Sequence, residues 1–323
     1  MFNLKLFFMQ LKNKLDENYL GGEYYLKEYN FFGKIFKRKL LYPNTPACVE
    51  YYELPKVYLS ITAILKNEAP YIKEWIEYHK MLGVERFYLY DNESEDNLQD
   101  VLQPYINSGL VYYHLIKGKG VQNLAYRDAV YKYKDQTTWM AFIDIDEFIL
   151  PVEKDSISEF LKDYEKYSGV GINWVVFDSN GHIQKPTEHR GLVIANYFKT
   201  HADGNMKVNR HIKTIAKPKD ILSVPNPHFF YYKNNKLTVD ENKKNIYGPF
   251  TDKHNVAKIR INHYYCKSKE EYLSKISKGR ASCDGYKPYE DEALNFTDYK
   301  YDYAMGDKIK KLEQIMLKKG VRF

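Results

Sequence analysis

From Val57 onward the chain alternates between short apolar runs and amphipathic stretches. VYLSITAIL, residues 57–65, is a β-branched apolar run of strand length that stops at Lys66-Asn67-Glu68. The next stretch sets Ile72, Trp75, Ile76 and His79 on one helical stripe, and Gly83 closes it. RFYLYDNES predicts a second strand breaking at Asp91-Asn92, after which Asp96 can cap a helix reaching Tyr105. Gly109 precedes a third strand, LVYYHLI; a helix is expected over Val121 to Lys134, and WMAFIDIDEFIL is expected to form a single fourth strand. Strands alternating with helices at this spacing predict βαβ units on a parallel sheet, with ligands beyond the carboxyl ends of the strands. The polar clusters after the first, second and fourth runs fall at such ends.

Beyond Pro151 the alternation loosens. Ser158 to Tyr167 reads as helix, VGINWVVF as a buried strand, and GLVIANYF and HIKTIAK as further strands. Residues 225–255 are rich in Pro, Asn and Lys and read as irregular, suited to a lid. RINHYYC predicts a late strand, with helices over Lys269 to Lys278 and Tyr303 to Lys318. The first 55 residues differ in character. Leu4, Phe8, Leu11 and Leu15 recur at helical spacing among Lys5, Lys12 and Lys14, and a basic cluster at Lys34, Lys37, Arg38 and Lys39 follows. A helical, basic arm of this kind suits peripheral contact with an anionic membrane, or packing on the following domain or on a second copy in a homo-oligomer. The expected division is therefore an arm over 1–55, a catalytic domain over 56–285 and a helical extension over 286–323.

Composition narrows the classes. With 44% hydrophobic and 28% charged residues, the 323-residue chain has the balance of an ordinary folded protein, and no run approaches a membrane-spanning length. The net charge of +7 favours anionic small partners and is too small for a nucleic-acid footprint. Cys48, Cys266 and Cys283 are odd in number and lack C-x-x-C spacing, which argues against a disulfide framework and for a reducing, cytoplasmic setting. The 32 tyrosines offer flat faces with polar rims suited to carbohydrate or nucleobase, although biased codon usage explains them equally.

The candidate chemistry centres on Asp144-Ile145-Asp146-Glu147, directly after the apolar run 139–143. At strand period two, Asp144 and Asp146 share a side, and two adjacent carboxylates at a sheet mouth call for a cation or a shared proton. A hard divalent ion with oxygen ligands is the natural partner, and it would also hold a diphosphate.

With these segments in hand, the chain resembles glycosyltransferase family 92 and related bacterial glycosyltransferase-2-like proteins. ILKNEAPYIKEWIEYHKMLGVERFYLYDNESED, WMAFIDIDEFI, NWVVFDSNGH and NHYYCKSKEEY carry the resemblance in that order across roughly 58–272. It implies an α/β fold of the GT-A type, a Rossmann-like, mostly parallel sheet flanked by helices. It also implies a nucleotide-sugar donor, a UDP-sugar above all, and metal-dependent, inverting transfer to a hydroxyl of a glycan or lipid-linked glycan acceptor in surface glycan synthesis. Carried over residue by residue, Asn67 and Glu68 would line the nucleotide pocket, and Asp91 and Ser94 would meet uridine or ribose. Gln122 and Arg127 would face the donor. Asp144, Asp146 and His263 would hold the metal, Mn2+ in preference to Mg2+ because an imidazole is a softer ligand than a carboxylate. Asp144 would also face the donor, Lys267 would neutralise the departing diphosphate, and Glu147 would orient the metal from behind. Asp178 or Asp284 would serve as catalytic base, with Glu290 and Asp291 as further candidates. Ordinary roles compete at each position: a helix N-terminal carboxylate for Glu68, a surface ion pair for Arg127, a solvated lysine for Lys267. Two other functions stay open. A nucleotidyltransferase or sugar-phosphate pyrophosphorylase also joins βαβ units to metal carboxylates, but the first strand here lacks the glycine-rich loop those enzymes carry. A non-catalytic carbohydrate-binding protein on the same fold would tolerate loss of the intact carboxylate pair.

Overall fold

The computed structural model describes residues 24–31, 34–41, 56–278 and 294–319. Strands β1 (Tyr24–Phe31) and β2 (Lys34–Leu41) pair antiparallel, Glu28 opposite Lys37. This corrects the helical reading of the arm over these residues. Their aromatic-rich runs, joined by Phe32-Gly33, carry strand propensity and a hairpin spacing that the basic charge count concealed. The helical spacing over 1–15 lies outside the described residues.

The expected parallel core is present. β3 (Val57–Leu65) sits between β4 (Arg86–Asp91) and β6 (Thr137–Phe142), and β5 (Val111–Leu115) extends the sheet beyond β4, all parallel. The intervening helices are α1 (Ala69–Met81), α2 (Leu98–Asn107) and α3 (Gln122–Tyr133). A parallel sheet buried on both faces needs apolar residues in both phases of the strand. On one side Leu59, Ile61, Phe87 and Leu89 meet Ile72, Trp75 and Ile76 of α1, each of which contributes about 1.5–3 kcal/mol by leaving water. On the other, Tyr88, Tyr90 and Phe142 meet Ala125, Tyr126 and Ala129 of α3. The fourth residue of the α1 stripe, His79, is wholly buried. Its Nδ1 lies 2.8 Å from the Trp75 carbonyl and its Nε2 accepts the Ile149 N–H, while burial lowers its pKa to about 3.

The fourth apolar run does not form one strand. β6 ends at Phe142, and β7 (Glu147–Pro151) leaves the sheet plane to pair with a later strand. Asp144 to Asp146 form the turn between them. The Glu147 N–H bonds the Asp144 carbonyl, and the Glu147 carboxylate accepts the Asp144 N–H at 2.9 Å. After α4 (Ile157–Lys162), shorter than expected, comes β8 (Gly169–Val176). GLVIANYF, expected as strand, contains a short helix, α5 (Val193–Asn196). The distant Glu74 carboxylate takes the Val193 and Ile194 N–H groups at 2.8 and 3.0 Å, an end cap that local propensity does not encode.

The remaining strands are β9 (Lys199–His201), β10 (Ile212–Ala216), β11 (Ile221–Ser223), β12 (Tyr231–Tyr232), β13 (Thr238–Val239), β14 (Asn245–Ile246) and β15 (Ile259–His263). They are followed by α6 (Lys269–Ser277), β16 (Tyr299–Tyr301) and α7 (Gly306–Lys318). β10 inserts antiparallel between β6 and β8. β8 is forked along its other edge: β13 pairs with its start and β15 with its end, both parallel. Asn173 stitches the fork, donating to the carbonyls of Arg210 and His211 and to Thr251 Oγ1. Gly171 lets the neighbouring side chains close in there, since a Cβ would meet the Ile212 and Ile246 Cδ1 atoms at 2.7 Å and make them shift. The helices expected at 269–278 and 303–318 are present as α6 and α7, and Arg260 on β15 holds the segment before α7 through a two-pronged pair with Asp302 at 2.7 and 2.8 Å. Among the described residues no helix is long and apolar enough to cross a membrane.

Candidate active site

The carboxyl ends of β3 and β6, the turn 144–146, the end of β15 and α6 enclose a cavity of about 630 Å³. Its position beyond the strand ends is where the parallel sheet was expected to hold ligand. Asn67, Glu68, Gln122, Asp144, Asp146, His263 and Lys267 line it, so most of the anticipated residues converge although they span 200 positions of chain.

Each is held by identifiable contacts. Asn67 has φ of 55°, its N–H donates to Ser94 Oγ, and its Oδ1 accepts the Glu95 N–H. Glu68 stands at the start of α1 and pairs at 3.2 Å with Lys278, whose ammonium also donates to the carbonyls of Lys66 and Asn67. Gln122, at the start of α3, donates to Asp144 Oδ1 at 2.8 Å and to the Tyr126 hydroxyl. Lys267 is 7% exposed with φ of 55°, and its ammonium lies 4.2 Å from the centre of the Tyr71 ring; Lys185 stands 4.7 Å from the same ring. The Tyr71 hydroxyl and that of Tyr197 both donate to Glu271, which completes the capping box of α6 with Ser268.

Four expected residues stand elsewhere. The Asp91 carboxylate is consumed by the Ser94 N–H and the Tyr113 hydroxyl, so Asp91 and Ser94 brace the loop after β4 and do not line the cavity. Arg127 donates to the Val224 carbonyl, away from the cavity. Asp178 is fully buried, accepts the N–H groups of Asn180 and Phe296 and pairs with Lys199 at 3.1 Å. Asp178 is thus committed to bracing the backbone around it and does not line the cavity, so the structure does not bring it to the site as expected of the base. Asp284, Glu290 and Asp291 lie outside the described residues.

Two lysines were not anticipated. Lys213, in the middle of β10, is 1% exposed, bonds Asp144 Oδ2 at 2.8 Å and stands 3.8 Å from Glu147. Its strand register, Thr214 opposite Phe142, carries it to the turn. Burial pulls its pKa down, but Asp144 and Glu147 together raise it above the ordinary lysine range. A lysine flanked by Ile212 and Ile215 in a short strand candidate was the available signal. The second is Lys275 on α6, bonded to Asp146 Oδ2 and at 2.8 Å to the Tyr265 carbonyl. Against the upward push of burial, Lys275 holds Asp146 well below the usual carboxylate range. Glu147, wholly buried, is pushed well above its usual range by burial, and its Oε1 has no partner.

His263 Nε2 is 3.5 Å from Asp146, and burial lowers its pKa, which favours the neutral ring a metal needs. As the side chains stand, no three His, Cys, Asp or Glu groups among the described residues form a metal-holding cluster. The expected Asp144, Asp146 and His263 groups line one cavity without closing on a single point. The physical reason is that each aspartate already carries an ammonium. The donor chemistry nevertheless fits a divalent cation: two carboxylates and a neutral imidazole face one cavity, and the Lys275 ammonium marks a position where positive charge is held. Trp174, beside the rings of His211, His228 and His263 at 4.5–5.5 Å, forms the opposite wall.

The sequence profile of glycosyltransferase family 92 matches residues 56–276. A glycosyltransferase family 92 protein of Arabidopsis thaliana is 30% identical over 123 residues, which cover 35% of this chain and 21% of that protein. A galactan β-1,4-galactosyltransferase of the same plant is 35% identical over 107 residues, 30% of this chain and 21% of the relative. The chain thus spans about a fifth of the length of the curated relatives it matches. Among solved structures, S. aureus TarS in complex with UDP aligns with a TM-score of 0.34 and 13% identity, covering 50% of this chain and 47% of that one.

Proposed function

The chain belongs to glycosyltransferase family 92, and from that premise we propose that it moves a hexosyl group from a UDP-type nucleotide sugar to a hydroxyl of a glycan acceptor, with inversion. The observation that carries this reading is the Asp144–Asp146 turn facing a cavity of nucleotide-sugar size at the carboxyl ends of β3 and β6. The named galactan galactosyltransferase relatives support a hexose donor and a polysaccharide acceptor.

In this reading Asn67 and Glu68, fixed by Ser94 and Lys278, border the nucleotide. Gln122 and Lys213 hold the Asp144 carboxylate from two sides, and Glu147 fixes the turn through the Asp144 N–H. A divalent cation bound by Asp144, Asp146 and His263 would supply charge neutralisation for the leaving diphosphate. Lys267 and Lys185, backed by the Tyr71 ring, add positive charge on the same side, where diphosphate charge develops. The test is UDP release from UDP-galactose, UDP-glucose and UDP-N-acetylglucosamine with Mn2+ and a galactan acceptor. Acceptor-stimulated release from one donor is expected; no release from any donor, with soluble folded protein, rejects the reading.

A further inference from the structure

We propose that Lys275 is a tethered counter-ion of the cation site: its ammonium holds Asp146 until a divalent cation takes that carboxylate, and then turns to the donor's diphosphate. This rests on the assignment of Asp144 and Asp146 as the cation pair.

The two lysines on the pair are built differently. Lys213 is 1% exposed on a strand bonded along both edges, and it answers two carboxylates. Lys275 has a 21% exposed side chain on a helix that lines the cavity, and it answers one carboxylate, one carbonyl and the face of Tyr265 at 4.1 Å. Only the second can swing into the cavity without stranding a closed group. His263 Nε2 stands 3.5 Å from the same Asp146 Oδ2 that Lys275 holds, so a dication bound between Asp146 and His263 would lie against the ammonium, and mutual repulsion would drive the singly charged, tethered group away. The displaced ammonium then joins Lys267 and Lys185 among the residues that line the cavity, where Lys278 is already answered by Glu68. Like charges so placed need an anion, and a diphosphate in the cavity is one. Cation and diphosphate therefore bind with positive coupling, each favouring the other through the position of one side chain.

The test measures Mn2+ binding by electron paramagnetic resonance and UDP binding by calorimetry, with no turnover involved. In the wild type, UDP is expected to tighten Mn2+ binding. In Lys275→Met, Mn2+ alone is expected to bind tighter on the order of tenfold, since a charge-assisted competitor is gone, and UDP is expected to strengthen it less than in the wild type, by the direct cation–diphosphate contact alone. Lys275→Arg keeps the wild-type pattern. Thermal melting checks that the variants fold, and Lys275→Gln replaces the methionine variant if it does not. The proposal is overturned if the methionine or glutamine variant binds Mn2+ no tighter than wild type, or if UDP strengthens Mn2+ binding equally in both. Mn2+ bound by none of the proteins overturns the proposal and the cation-site assignment together, and UDP release, measured separately, still decides the transferase reading.

Discussion

Lys213 is the sharpest place to test whether the buried turn is held by charge. Its ammonium is 2.8 Å from Asp144 and 3.8 Å from Glu147. At an effective dielectric constant of about 20 those separations correspond to roughly 6 and 4 kcal/mol of gross attraction. Desolvation of the ammonium cancels much of this, and replacing Lys213 with methionine leaves Glu147 buried without its cation, while Asp144, 36% exposed on the cavity, keeps Gln122 and water. With Asp144 open to the cavity, the loss expected is that of one buried polar group left without its partner, about 1–3 kcal/mol. Methionine has similar length and leaves no large void, so packing loss stays small. Urea unfolding followed by the fluorescence of Trp75, Trp139 and Trp174 reads the change directly. Lys213→Met and Glu147→Gln should be non-additive by about 0.5–1 kcal/mol in a double-mutant cycle, because each variant already removes the Lys213–Glu147 contact. A Lys213→Met protein within about 0.5 kcal/mol of wild type, or strict additivity with Glu147→Gln, would refute the reasoning.

Asp144→Asn and Asp146→Asn are each expected to abolish sugar transfer while far-ultraviolet circular dichroism stays native; normal turnover of both variants in chelator-treated buffer would remove the cation from the mechanism. His263→Ala should raise the Mn2+ concentration required for half-maximal activity, and an unchanged titration would make His263 a structural residue. Asp302, held below its usual range by Arg260 despite burial, contributes stability that is present above the unfolded carboxylate pKa and is lost as pH falls through its lower folded value. Asp302→Asn should therefore cost about 2 kcal/mol at pH 7, with the gap to wild type closing below about pH 4 in acid-unfolding curves.

The first half of the sheet was readable because local pattern and tertiary environment agree there. β3 occupies the 57–65 run, and α1 presents the predicted stripe, because both faces of the strand and one face of the helix are buried. The site was readable in part for a related reason: strand ends in a βαβ series point at ligand, so Asn67, Glu68, Gln122 and the aspartate pair could be placed before any contact was known. What failed depends on partners remote in sequence. Glu74 makes a helix of 193–196 from 119 positions away, and β10 delivers Lys213 to Asp144 only because it enters antiparallel beside β6. Asp178 has the sequence setting of a base, a polar residue after a buried strand, yet the Phe296 N–H and Lys199 claim it. The reading of 139–150 as one strand overlooked that two adjacent carboxylates sit more readily in a turn that exposes them than in a closed sheet.

The fork in β8 also bears on how the protein is made. β8 ends at Val176, while its partners begin only at Ile212, Thr238 and Ile259. At about 5–20 residues per second of synthesis, several seconds pass between emergence of β8 and the arrival of all three. During that interval GVGINWVV, apolar and rich in β-branched residues, has both backbone edges open, the condition under which strands join neighbouring chains. The strand that anchors β15 and its His263 is thus also a segment open to aggregation on the ribosome, and lower growth temperatures or bound chaperones should raise soluble yield without touching the stability of the finished fold.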